Sequence, residues 1–224
     1  GGWTHTFKRK NYEWDVGIHY IGQVNRTRSP IRKLFDIISD GQLQWSAMDA
    51  NYDRIIFPDR SYDFIAPRER FVESMISYFP KEESAILKYM ALLDSVAKSS
   101  RSYFSQKALT GISDRISYPF MTRKFFKYSD RTTMDVLSSL TNDQRLIGVL
   151  TGQWGDHGLP PSRSSFAMHA FVARHYLNGG NYPTGTSRRI GETISDTIEK
   201  NGGSLYVNAP VSSIKIHRNK AIGV

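Results

Sequence analysis

Six histidines and no cysteine limit the catalysis open to this 224-residue chain. Without a thiol there is no disulfide, no thiolate nucleophile and no Cys-ligated zinc or iron–sulfur centre. His157, His169 and His175 miss the i, i+4 spacing that would set two imidazoles on one helix face, so they do not read as a metal site. Asp156-His157 could act as an acid/base pair, although adjacency on a loop is more commonly incidental. His19 is the better candidate, lying inside Asp15–Gly22 (DVGIHYIG), where glycines allow close backbone approach. A buried, hydrogen-bonded structural histidine is the plainer reading of it. His169 falls in the most apolar helical run and reads as a satisfied core histidine. There is no G-x-S-x-G elbow, H-E-x-x-H, P-loop or G-x-G-x-x-G.

These residues must be held by the stretch His157–Ile198 and what packs on it. Phe166, Ala167, Met168, Ala170, Phe171, Val172 and Ala173 make a run apolar on nearly every side, the mark of a buried helix. Gly179-Gly180 closes it. Tyr182–Ser187 then forms a turn whose Thr and Ser can cap a second helix, with Ile190, Ile194 and Ile198 one turn apart. Free N–H groups at such an N-terminus suit the polar part of a cofactor or substrate. Core helix, loop and surface helix is the plain alternative.

Upstream, Trp3–Phe7 and Tyr12–Trp14 read as a hairpin turning at Lys10-Asn11, and Ser29–Ile38 as a helix stopped near Gly41. Leu43–Trp45, Asp53–Phe57 and Tyr62–Ile65 are short strand-like runs. Helical spacing follows Pro67, breaks at Pro80 and resumes from Glu82 through Ile86, Tyr89, Met90, Leu93 and Val96. Residues 101–128 look less regular and are rich in aromatics that could line an apolar cavity, or simply fill a helical core. Thr132 and Asn142 or Asp143 are candidate helix starts. Ser204–Val207, Val211–Ile216 and Ala221–Val224 read as strands, the last two joined by a turn.

The hydrophobic share of 39% supports a core, and no run nears the ~18 apolar residues that cross a bilayer. The first residues lack a secretion signal's layout, so a cytoplasmic or membrane-peripheral place is expected. The net charge is +9, but the bases are dispersed, with small clusters at Lys8–Lys10, Arg26–Lys33, Arg123–Lys127 and Arg188-Arg189. Solvated surface charge accounts for them, with a membrane-facing basic rim second. Nucleic acid is not an expected partner, because no binding motif accompanies the charge. Taken alone, these features describe a soluble α/β-type domain whose aromatic residues could wall a pocket.

Several stretches together resemble the FAD-dependent phytoene desaturase-like oxidoreductases, nearest the retinol saturases (all-trans-retinol 13,14-reductases) and carotenoid isomerases. GGWTHTF resembles the family's GG-x-x-x-T-F segment, and WDVGIHYIG its D-x-G-x-H-Y-x-G stretch. PPSRSSFAMHAFVARHYLNGGNYPTGTSRRI resembles the segment ending in Y-P-x-G-G, and GGSLYVNAPVSSIKIHRNKAIGV its GG-x-hydrophobic…V-x-x-I…G-V strands. Thr186 stands where that motif has its second glycine, and the G-x-G-x-x-G unit that would precede Gly1 is absent.

The resemblance implies an α+β internal fragment of a flavoenzyme roughly twice as long. It implies FAD-domain segments at 1–24 and 181–224 around a helical substrate-binding domain with a small mixed sheet at 25–180. The flanks would be parts of a Rossmann-like FAD/NAD(P)-binding domain lacking its G-x-G-x-x-G unit. It places Gly1, Gly2, Thr6, Asp15, Gly17, Tyr182, Pro183, Gly185 and Val211 near FAD, and Tyr20, Phe166, Met168 and His169 beside a hydrophobic polyene or retinoid. His19 is its one candidate catalytic group. NAD(P)H is a further candidate electron source, and contact with a membrane surface a further expectation. A non-catalytic lipid- or polyene-binding module is the alternative.

Overall fold

The computed structural model describes every residue except Gly1, His19 and 109–111, and describes only the backbone of Trp3 and 112–116. In chain order it forms β1 (Thr6–Arg9), β2 (Tyr12–Asp15), β3 (Ile21–Gly22), α1 (Pro30–Ile38), β4 (Trp45–Ala47), β5 (Asn51–Ile56) and β6 (Ser61–Ile65). Then follow α2 (Arg68–Tyr78), α3 (Glu83–Ala108), α4 (Ile112–Ser129), α5 (Thr133–Ser138) and α6 (Gln144–Leu150). After a 3-10 segment at Gly152–His157 come α7 (Phe166–Tyr176), β7 (Gly180–Pro183), α8 (Arg188–Lys200), β8 (Lys215–His217) and β9 (Lys220–Gly223). The fold is α+β, about half helix with small sheets, as the sequence implies. No helix among the described residues is long and apolar enough to cross a membrane.

The chain divides into two compact units. The larger comprises His19–Arg32 and Trp45–Tyr182. Its spine is the 26-residue α3, which buries Ile86, Tyr89, Met90, Leu93 and Val96 at the helical spacing read from the sequence. Packed with them are Phe71 and Met75 of α2, Leu146 and Val149 of α6, and Phe166 and Ala170 of α7. Helix starts carry their own signals. The Thr132 side chain accepts the Asp135 N–H, Asp143 accepts those of Arg145 and Leu146, and Ser165 accepts that of Ala167. Such caps satisfy N–H groups that the helix itself leaves orphaned.

The described residues of 101–128, less regular in sequence, are helical, and aromatics among them fill a helical core. α3 runs on to Ala108 and α4 follows from Ile112, with Pro119 inside it. The aromatics supply the reason, because they pair between helices rather than surround a cavity. The Tyr103 and Phe125 rings stack at 4.4 Å, and Phe125 stacks on Phe171 of α7 at 6.2 Å.

The smaller unit comprises Gly1–Ile18, Lys33–Gln44 and Pro183–Val224. β1 and β2 form the expected hairpin, with Phe7 opposite Trp14 and Lys10 in the left-handed region at the turn. α8 buries Ile190 and Thr193. The strands expected at 204–207 and at the start of 211–216 do not form; only the hairpin β8–β9 does. Every residue of 201–224 is exposed, and no other strand among the described residues is paired with β8 or β9. Valine and isoleucine favour a strand because they pack on a pleated neighbour, so without one the propensity is not realised.

Candidate functional site

Two motif-bearing stretches, 172 residues apart in sequence, meet in the smaller unit. The Asp15 carboxylate accepts the backbone N–H of Ser187 at 3.0 Å and also its hydroxyl. Ser187 is the N-cap residue of α8 and its own side chain makes no cap. Asp15 therefore anchors the start of α8, where a negative group is favoured by the helix dipole. Immediately before it, Gly185 and Thr186 both have positive φ, +86° and +78°. A β-branched residue rarely accepts that conformation. The Thr186 hydroxyl is buried there without a hydrogen-bond partner among the described residues.

Beside this turn, Thr4, His5, Thr6, Arg188, Glu192 and Asp196 line a groove of about 470 Å3. The Thr6 hydroxyl donates to Glu13 at 2.7 Å. Arg188 is held by Glu13 at 3.4 Å and Glu192 at 3.0 Å, so much of its charge is already matched. This hydroxyl- and carboxylate-rich lining suits a ligand's hydroxyl groups better than an anion. Thr6 and Asp15 thus lie near the groove and turn. Gly2 is exposed at φ +60°, Gly17 is half-buried, Pro183 is buried beside half-buried Tyr182, and Val211 is exposed in the coil before β8. Gly1 and His19 lie outside the described residues.

The larger unit gathers a polar cluster that includes Tyr20. Its hydroxyl donates to Asp53 at 3.2 Å, and its ring lies 4.5 Å from that of Tyr176. Tyr176 in turn donates to the Tyr20 carbonyl at 3.3 Å. Burial, with the Asp53 and Asp156 carboxylates nearby, pushes the Tyr20 phenol well above its ordinary value, and Tyr176 likewise. Both stay protonated and serve as hydrogen-bond donors rather than as acids.

The final glycine of the DVGIHYIG stretch has a steric explanation. In the sheet β3–β7–β4, Ile21 pairs with Asn181 and Gly22 with Gly180. The Gly22 N–H donates to His175 Nε2 at 2.7 Å, and a Cβ on Gly22 would stand 1.9 Å from the His175 carbonyl oxygen. Gly180 is similarly crowded by the Tyr20 ring at 2.8 Å. Burial lowers the His175 pKa to about 4, keeping Nε2 free to accept.

The other residues expected beside a substrate are not brought onto one wall. Phe166 and His169 are enclosed in the core, while Met168 is 49% exposed. His169 Nε2 lies 2.9 Å from the Tyr89 hydroxyl, and burial lowers its pKa to about 3, the satisfied core histidine its setting suggests. The Nε2 of His157 is buried with no partner among the described residues. No group of three or more candidate metal ligands occurs among the described residues. Sequence reasoning missed Asp53, Tyr176 and His175. The first lies 33 residues from Tyr20, and no spacing rule connects them; His175 was weighed only as a metal ligand.

An α+β chain with a glycine-bearing turn capped by a distant aspartate is what fold and geometry define. Its relatives are more particular. The chain is 35% identical to the all-trans-retinol 13,14-reductase of Danio rerio and 30% identical to that of Homo sapiens. It is 28% identical to a second Danio rerio protein described as an inactive all-trans-retinol 13,14-reductase. Each match covers the whole of this chain and 38% of the relative. The chain is retinol saturase-like in sequence from end to end, and spans well under half the length of these relatives. No family model matches it.

Proposed function

We propose that this chain is part of a flavin-dependent oxidoreductase acting on the conjugated double bonds of a retinoid or related polyene. The observation that carries the reading is the full-length similarity to reductases of all-trans-retinol. The Asp15–Ser187 contact supports it, because two of the stretches that resemble flavoenzyme motifs meet there. In this reading residues 1–24 and 181–224 serve the cofactor and 25–180 the substrate. Gly1, Gly2, Thr6, Asp15, Gly17, Tyr182, Pro183, Gly185 and Val211 are assigned to FAD, with NAD(P)H as an electron source.

When bound, the flavin supplies hydride exchange with a carbon–carbon double bond; the chain's work is placement and exclusion of water. Asp15 fixes the α8 start against the turn, and Thr6 presents its side chain at the groove. Tyr20, held by Asp53 and Tyr176, offers a fixed phenol that can orient a polar end group of a polyene. In this reading His19, in the stretch that resembles D-x-G-x-H-Y-x-G, is the group for any proton transfer.

The test is the absorbance spectrum of the protein expressed from its complete reading frame, followed by incubation with all-trans-retinol under reducing conditions. Flavin bands near one equivalent, and loss of the retinoid's long-wavelength band, are expected. A colourless protein that takes up no added FAD would overturn the reading. A specific observation favours one second reading, a polyene-binding protein without turnover: one relative is described as inactive. Retinoid binding with flavin present and no conversion would be its signature.

A further inference from the structure

The charge of this chain is concentrated in the helical hairpin α3–α4. Between Asp94 and Asp130 lie seven lysines and arginines and a single acid, Asp114, so this segment carries +6 of the chain's +9. Lys98, Lys124 and Lys127, with Ser102, Met121 and Tyr128, line a groove of about 480 Å3 between the two helices. No carboxylate pairs with these lysines among the described residues. Ser95 and Ser99 also border the groove but donate their hydroxyl protons to the carbonyls of Ala91 and Val96. The three ammonium groups, with the Ser102 and Tyr128 hydroxyls beside them, suit a phosphate-type anion. Asp94, the acid nearest along α3, is occupied by Arg68 and Arg174.

The same hairpin exposes large apolar side chains, Phe104 and Phe120 beyond the groove toward the turn between the helices, Met121 on the groove's own wall and Leu87 near the other end. Phe120 is 78% exposed, Phe104 58% and Met121 48%. The helices are antiparallel neighbours, with Ser117 of α4 donating to Gln106 of α3, so Phe104 and Phe120 lie on the same side of the lysines, toward the turn between the helices. At a rise of ~1.5 Å per residue, Phe120 lies ~6 Å along α4 from Lys124, and Phe104 ~9 Å along α3 from Lys98. A bilayer surface has this layering, with anionic phosphates outside and acyl chains roughly 5–10 Å beneath. A soluble phosphate would use the lysines and leave the apolar end unexplained.

We infer that the α3–α4 hairpin is a docking surface for anionic phospholipid, with a head-group phosphate seated among Lys98, Lys124 and Lys127 and Phe120 and Met121 entering the acyl region. The inference rests on charge and exposure and does not depend on the flavin reading. Lysines near such a surface and a buried aromatic ring act together, so neutralising any one weakens binding without abolishing it.

The test is co-sedimentation of the 224-residue chain with vesicles of phosphatidylcholine alone, or mixed with phosphatidylserine. Binding to the mixed vesicles is expected, weakening as salt is added. The triple variant Lys98→Gln, Lys124→Gln, Lys127→Gln should bind on the order of a hundredfold more weakly. Phe120→Ser with Met121→Ser should lower binding about tenfold at any salt concentration. These side chains are exposed, and an unchanged circular dichroism spectrum will establish that each variant folds. Equal binding by wild type and triple variant would overturn the proposal, as would failure to sediment with the mixed vesicles. A triple variant that loses affinity for inorganic phosphate or a single-stranded oligonucleotide, in a chain that ignores vesicles, would reassign the groove and overturn it too.

Discussion

Gly22 and Thr186 stand in two motif stretches of similar appearance and obey different physics. At Gly22 the constraint is space: the backbone of His175 occupies the position a side chain would need. At Thr186 the constraint is the dihedral: φ is +78°, and the chain places there a β-branched residue whose hydroxyl finds no partner among the described residues. A glycine in a motif can thus mean closeness or handedness, and only the first is intolerant of every side chain. The larger unit has no slack at its glycine. The smaller unit accepts strain at the position where a glycine would remove it.

The largest effect expected of a single substitution tests the closeness. Gly22→Ala should destabilise by about 3 kcal/mol or more, since the obstacle is backbone and cannot rotate away. Urea unfolding measures it, and a loss below 1 kcal/mol, the order of a glycine-to-alanine propensity change, would break the comparison. Next comes the hydrogen bond that accompanies that contact. His175 and His169 are held neutral, with pKa values lowered to about 4 and about 3. The unfolded chain takes up protons below about pH 6.5 that the folded chain refuses. Stability should therefore be full above that pH and fall as pH drops toward 4, by about 1.4 kcal/mol per unit for each histidine. Thermal denaturation across that window should show it, with a shallower slope in His169→Phe.

Tyr89→Phe should cost about 2 kcal/mol by leaving the buried His169 nitrogen unpaired. Calorimetry would show whether the core histidine is as satisfied as its 2.9 Å contact indicates. The smallest effect has the opposite sign. Thr186→Gly should stabilise by about 1 kcal/mol, the order of cost of a left-handed residue with a side chain. Thr186→Ala should recover less, because it removes the orphan hydroxyl and keeps the strain. If alanine and glycine act alike, the dihedral is not what distinguishes this position.

Much of the fold was legible because local chemistry announces it. Thr132 and Asp143 cap their helices, Pro80 ends α2's run, and Lys10-Asn11 turns the first hairpin, all from neighbouring residues. What failed needed information from far along the chain. The aromatics of 101–128 do belong to a helical core, but their uneven spacing hides where the two helices run, because their partners lie on other helices, Phe171 among them. The strands expected at 204–207 had the composition for pairing and no strand beside them. The site divides the same way. Asp15, Tyr20 and the 182–187 turn were visible as motif residues. Asp53, Tyr176 and the His175–Gly22 contact arise only when β3 settles against the end of α7, an event no spacing encodes.

The exposed tail of the smaller unit bears on how the chain behaves in a tube. Leu205, Tyr206, Val207, Ile214, Ile216 and Ile222 all face solvent, and among the described residues no strand pairs with either edge of the β8–β9 hairpin. An open edge flanked by apolar side chains is a template for another strand, and in a pure sample the nearest strand belongs to a second copy. Yield and shelf life should then depend on concentration long before the helical body begins to unfold. A lysine or proline set into the 214–222 ribbon is the simplest way to keep solutions clear.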